Sequence, residues 1–226
     1  MNTYGHSMGP RHLQRLFALA PLLLPPLLLE SGSCTPPTAP PDDTPLGVPF
    51  TVSDHFSPTG YMGDGTSIGV VTMLAAACPT RAPGALGDCY QVTYVPPVPT
   101  ENGWAGVYWQ YPGNNWGDYP GHKVLPGATK VTGSARGSRG GEILTFTIGG
   151  IAVSDGTKAF HDSLDVTAPP VTLTTDWQPF EVPFDGATYD EVLGGFSWIM
   201  NLPTPDGGAA NAQPIVFYLD NITWSR

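Results

Sequence analysis

Ile143-Leu144-Thr145-Phe146-Thr147-Ile148 sends Leu144, Phe146 and Ile148 to one side of an extended chain and Ile143, Thr145 and Thr147 to the other. Successive side chains of a strand point to opposite faces, so this period of two marks a strand with one buried face. Ile215-Val216-Phe217-Tyr218-Leu219-Asp220 repeats the pattern, with Ile215, Phe217 and Leu219 opposing Val216, Tyr218 and Asp220. Working outward from these two segments, strands are expected near 48–53, 67–73, 89–95, 104–111, 129–136, 142–149, 170–175, 178–184, 194–201 and 215–223. Turn-forming residues separate them: Pro58-Thr59-Gly60, Arg139-Gly140-Gly141, Asp155-Gly156, Asp185-Gly186 and Pro205-Asp206-Gly207-Gly208. One helical turn is expected, around Asp190-Glu191-Val192. About ten short strands with no strand–helix alternation predict an all-β fold over residues 48–226, an antiparallel β-sandwich of the jelly-roll kind.

Composition agrees. The 226 residues include 28 Gly and 26 Pro, and charged residues are only 12% against 41% hydrophobic and 11% aromatic. Glycine without a three-residue period excludes collagen, and the aromatic content excludes global disorder. Nine basic and nineteen acidic residues give a net charge of −10. Such a chain, without a Lys/Arg stripe, repels phosphate backbones, so nucleic acid is excluded as a partner.

Residues 1–34 read as an export signal: a start carrying His6, Arg11, His12 and Arg15, an apolar run over 16–29 broken by prolines, then Ser31-Gly32-Ser33-Cys34. Small residues leading into Cys34 resemble a bacterial lipoprotein signal, which implies lipidation of Cys34, although Ser31 stands where that pattern has Leu. A membrane association is expected only through this anchor. Residues 35–47, with five prolines, read as a linker. Without Cys34 two cysteines remain, Cys78 and Cys89, and an even pair in an exported protein is expected to form a disulfide. The expectation is thus an exported, monomeric, envelope-anchored or secreted domain.

The densest chemical signal is Gly103-Trp104-Ala105-Gly106-Val107-Tyr108-Trp109-Gln110-Tyr111-Pro112-Gly113-Asn114-Asn115-Trp116-Gly117-Asp118-Tyr119. As a strand, 104–111 sends Trp104, Gly106, Tyr108 and Gln110 one way and Ala105, Val107, Trp109 and Tyr111 the other. With aromatic rings on both faces, at least one such ring is expected to stay near solvent, where flat rings stack on the C–H faces of pyranose sugars and amides bond the hydroxyls. Trp104, Tyr108, Trp109, Tyr111 and Trp116 are therefore candidate stacking rings, with Gln110, Asn114 and Asn115 as candidate hydrogen-bonding partners. The competing reading of each ring is core packing, since aromatic side chains mainly fill interiors.

Three further segments carry a resemblance. Phe217-Tyr218-Leu219-Asp220-Asn221-Ile222, Thr175-Asp176-Trp177-Gln178-Pro179-Phe180 and Gly194-Gly195-Phe196-Ser197-Trp198 look like the calcium-containing β-sandwich carbohydrate-binding modules of the galactose-binding-like superfamily. The resemblance implies binding of a polysaccharide or other glycan on one sheet face, and a structural Ca²⁺ between the first and last strands. Asp220 would be one ligand, and Asp54 or Asp64 another. Ser57 stands where such modules often carry Glu.

Signals for catalysis are sparse. Glycoside cleavage needs two carboxylates facing each other across a cleft. The glutamates after the leader are Glu101, Glu142, Glu181 and Glu191, with no paired spacing, though Glu181 and Asp185 lie close in sequence. His55, His122 and His161 form no zinc motif. The Gly-rich stretch at 133–141 lacks the Gly-Lys-Ser/Thr ending of a phosphate loop. The expected function is non-catalytic glycan binding; a glycan-cleaving sandwich enzyme and a structural lipoprotein without a sugar site are the alternatives.

Overall fold

The computed structural model describes residues 44–63, 71–95, 104–201 and 214–226, and fourteen strands lie among these described residues. Cys34, Asp64 and the expected turn at 205–208 lie outside the described residues. The strands are β1 (Phe50–Thr51), β2 (Ser57–Gly63), β3 (Val71–Ala75), β4 (Tyr90–Tyr94), β5 (Trp104–Gln110), β6 (His122–Lys123) and β7 (Lys130–Gly137). The rest are β8 (Ile143–Gly149), β9 (Asp165–Thr167), β10 (Val171–Thr172), β11 (Gln178–Pro183), β12 (Glu191–Val192), β13 (Gly194–Asn201) and β14 (Ile215–Ser225). One sheet runs β11-β7-β14-β4-β3, with β1 also paired to β14; the other runs β10-β8-β13-β5-β2, with β9 also paired to β8. All these pairings are antiparallel. The fold is the expected all-β sandwich.

The alternation that revealed the strands also builds the core. Leu144, Phe146 and Ile148 of β8 and Phe217 and Leu219 of β14 are fully buried. They meet an aromatic layer between the sheets: Phe146 stacks on Phe180 at 3.9 Å, and Trp198 meets Phe217 edge-on at 5.0 Å. Each such ring taken out of water contributes about 2–3 kcal/mol by burial alone. Trp224 closes one end, stacked on Phe50 and donating its indole N–H to the Gly195 carbonyl at 2.8 Å.

Several expectations are corrected. Pro58-Thr59-Gly60 lies within β2, where a bulge between Pro58 and Gly60 absorbs the irregularity that these residues demand. Glu191-Val192 pairs with His122-Lys123 as a short ribbon, so no helical turn forms there. The packed domain also reaches back into the stretch read as linker. Leu46 is buried, and its backbone bonds to Lys123 and Leu125.

Candidate functional site

β5 is the central element of the candidate site because its two faces are so unlike. Ala105, Val107 and Trp109 are fully buried and face the opposing sheet. Trp109 meets Tyr90 at 5.1 Å and Phe196 at 5.2 Å, both edge-on. It is a core side chain and not a stacking ring. Tyr111, just past the strand, is half-buried, stacked on His122 at 3.5 Å and packed against the core.

The other face looks outward. Strand register places Trp104, Gly106 and Tyr108 of β5 beside Asn201, Ile199 and Ser197 of β13, and the last two beside Thr145 and Thr147 of β8. On the other flank Met62 and Gly60 of β2 stand beside Gly106 and Tyr108. Gly106 keeps this surface low. A Cβ there would lie 2.6 Å from both the Met62 methyl and the Trp198 carbonyl oxygen. Trp104 and Tyr108 lie four residues apart on one face, about 13 Å along the strand. None of these residues is Lys or Arg.

Tyr108 lies across the sheet. A Cβ on Gly194 would touch its ring at 3.0–3.2 Å, and one on Gly150 would lie 3.1 Å from its hydroxyl. Burial pushes the phenol pKa up, and the nearby Asp162 and Asp165 carboxylates add to the rise. Beneath it the hydroxyls of Thr147 and Ser197, both buried, bond each other at 2.5 Å. Trp116 stands against Tyr108 at 88°, with 6.0 Å between ring centroids, and 37% of it is exposed. The two rings form a corner, with Tyr108 as floor and Trp116 as wall.

The loop holding Trp116 is fixed by two amides that sequence reasoning assigned to ligand. Asn115 is buried: its Nδ2 donates to the carbonyls of Tyr111 and Tyr119, and its Oδ1 accepts from the amides of Gly117, Asp118 and Tyr119 at 3.1 Å each. Gln110, also buried, folds over Gly60; its Nε2 donates to the Asn115 carbonyl and its Oε1 accepts from the Thr59 hydroxyl. Both side chains spend their capacity inside the protein, so the roles given them as sugar partners are corrected. Asn114 is exposed, in the left-handed region at φ 61°, and remains at the rim.

A second loop, 150–163, buttresses the first. The Gly117 carbonyl accepts from the Phe160 amide at 3.1 Å, and Lys158 pairs with Asp118 at 2.7 Å. This loop carries a residue that the sequence reading missed. Asp162 is buried, with Oδ2 accepting from the Ile151 amide at 2.8 Å and Oδ1 from the Leu193 and Gly194 amides at 2.6 and 3.1 Å. Burial outweighs these three donors and pushes its pKa up to about 7.

The expected metal ligands do not fit an ion at Asp220. This carboxylate is fully buried, and all four of its acceptor positions are filled. Oδ2 accepts from Arg81 Nε and the Ala82 amide, and Oδ1 from Arg81 Nη2 and the Asn221 amide, each at 2.8 Å. Asp54 is exposed, and among the described residues no group of three or more His, Cys, Asp or Glu converges as a metal site. The expected disulfide, Cys78–Cys89, is present. Glu181 pairs with Lys130 at 3.0 Å on the opposite sheet, and Asp185 is exposed in a turn.

No protein-family model and no curated protein matches the chain. Among solved structures it is similar to the family 30 carbohydrate-binding module of a cellulosomal cellulase of Clostridium thermocellum, at 15% identity over 78% of this chain and 96% of that one, with a TM-score of 0.47. It is also similar to the family 11 module of another cellulosomal cellulase of Clostridium thermocellum, at 14% identity over 78% of this chain and 92% of that one, with a TM-score of 0.44. A third similar structure is a family 61 module in complex with β-1,4-galactotriose, at 14% identity over 75% of this chain and 88% of that one, with a TM-score of 0.34. The two-sheet architecture rests on the strand pairing itself.

Proposed function

We propose that this chain is a non-catalytic glycan-binding domain that takes a neutral polysaccharide on the outer face of the β2–β5–β13–β8 sheet. The observation that carries the reading is the right-angled pair of Tyr108 and Trp116. It is an aromatic corner on the outer sheet face, with Tyr108 half-buried, Trp116 exposed and its loop held in place before any ligand arrives. A ring fixed in advance loses little freedom on binding, which favours affinity. Trp104, at the far end of β5, extends the surface enough for a short run of sugar rings, and exposed Asn114 and Asn201 supply amides at its margins. Among the described residues, those registered beside Trp104 and Tyr108 include no Lys or Arg, and Lys158 near Trp116 is paired with Asp118; together with Asp165 beside Tyr108 this favours neutral sugars over uronates or sulfated chains.

Binding without cleavage is favoured because the buried carboxyl nearest the corner, Asp162, is engaged by three backbone amides. Glu181 belongs to the opposite sheet. Export fits the Cys78–Cys89 disulfide, which persists in an oxidising compartment, and Cys34 would be the point of lipid attachment. Electrophoresis through gels containing mixed-linkage β-glucan, xylan, galactan or a polyuronate tests the reading. Retardation by at least one neutral polymer and none by the polyuronate is expected, and unaltered mobility in every gel would refute it.

A further inference from the structure

The loop 76–89, between β3 and β4, is fastened to β14 where the β14–β7 register shifts between Asp220 and Thr223. Asn221, at φ 59°, sits in that irregularity; its Oδ1 accepts from the Leu86 amide and its Nδ2 donates to the Pro83 carbonyl at 3.1 Å. Arg81 lies at the centre. Besides its two bonds to Asp220, Nη2 donates to the carbonyls of Gly87 at 2.9 Å and Leu86 at 3.4 Å. From the other side the Asp88 amide donates to the Ser53 hydroxyl at 3.0 Å, which ties the opening segment of the domain to the same loop. One cation thus gathers a buried carboxylate and two backbone carbonyls from separate segments. Those are the oxygen donors that a hard divalent ion would use.

We propose that the Arg81 guanidinium is the resident cation of this domain, holding loop 76–89 to the β14 bulge in place of a bound metal, so that the fold needs no calcium. A planar guanidinium matches a carboxylate in two parallel bonds, and here it neutralises a charge with no solvent access. The Cys78–Cys89 bridge closes the same loop and limits how far Arg81 can stray from Asp220.

Thermal unfolding of the full chain, followed by circular dichroism in EDTA and then in excess calcium, tests this. The wild type is expected to melt at one temperature in both buffers. Arg81→Ala strands a buried carboxylate and should melt roughly 5–15 °C lower. Adding Asp220→Asn to Arg81→Ala removes the stranded charge and should recover part of that loss. A wild-type melting temperature that falls on chelation and returns with calcium would overturn the proposal, as would an Arg81→Ala chain that melts with the wild type. Should Arg81→Ala fail to fold, the double variant decides: a cooperative transition supports the proposal and its absence overturns it.

Discussion

Trp109→Ala and Trp116→Ala, seven residues apart in one aromatic run, should have opposite consequences. Trp109 is fully buried between the sheets, in edge-on contact with Tyr90 and Phe196. Truncating a buried indole removes its burial energy and leaves a cavity, together about 3–5 kcal/mol. For a domain of this size each kcal/mol moves the melting temperature by about 2–4 °C, so the expected fall is roughly 6–20 °C. Trp116 is 37% exposed, and its aromatic contact is one edge-on meeting with Tyr108. Such a pair is worth about 0.5–1.5 kcal/mol, or a few degrees at most. Circular dichroism melts of both variants, recorded with urea titrations to compare slopes, separate the two. If Trp116→Ala proves as destabilising as Trp109→Ala, or if Trp109→Ala melts with the wild type, the division of β5 into a core face and a binding face is wrong.

Two further predictions concern stability. Asp162 has its folded pKa raised to about 7 from an ordinary value near 3.8, so the folded state binds the extra proton between those values. The stabilisation it brings is therefore complete at low pH and is lost as pH rises through 7, by at most about 1.4 kcal/mol per pH unit. Melting temperatures measured from pH 5 to pH 8 should fall in the wild type, and that fall should shrink in Asp162→Asn; equal slopes would refute the assignment. The Cys78–Cys89 bridge closes a loop with a sequence separation of 11, worth about 3 kcal/mol by chain entropy. The Cys78→Ser/Cys89→Ser chain should accordingly melt roughly 6–12 °C lower. A change under about 2 °C would show that the Arg81 and Asn221 contacts hold the loop unaided.

What the sequence disclosed followed from periodicity. β8 and β14 alternate strictly, so their buried faces and the two-sheet class could be read directly, and β5 split into the right two sets of residues. Which set faced outward depends on strands far away in the chain, and alternation alone leaves that open. β2 was hidden because Pro58-Thr59-Gly60 has turn chemistry, yet those residues form a bulge whose Gly60 makes room for the Gln110 side chain. Gln110 and Asn115 have the right groups for sugar hydroxyls, but their partners are backbone atoms supplied by the folded loop. Asp220 was read as a calcium ligand, whereas its carboxylate is bonded to Arg81 and to two backbone amides. Arg81 lies 139 residues upstream, and nothing local to either residue announces the pair.

The central claim is that sugar meets the Tyr108–Trp116 corner. The direct measurement is the affinity of the wild type, Trp116→Ala and Trp177→Ala for whichever neutral polysaccharide retards the wild type. Trp177 supplies the control because it packs over Arg136 on the opposite sheet. Loss of a central aromatic contact costs about 2 kcal/mol. Trp116→Ala should therefore bind at least about tenfold more weakly, with Trp177→Ala unchanged. Full affinity in Trp116→Ala, or a loss confined to Trp177→Ala, would contradict the account.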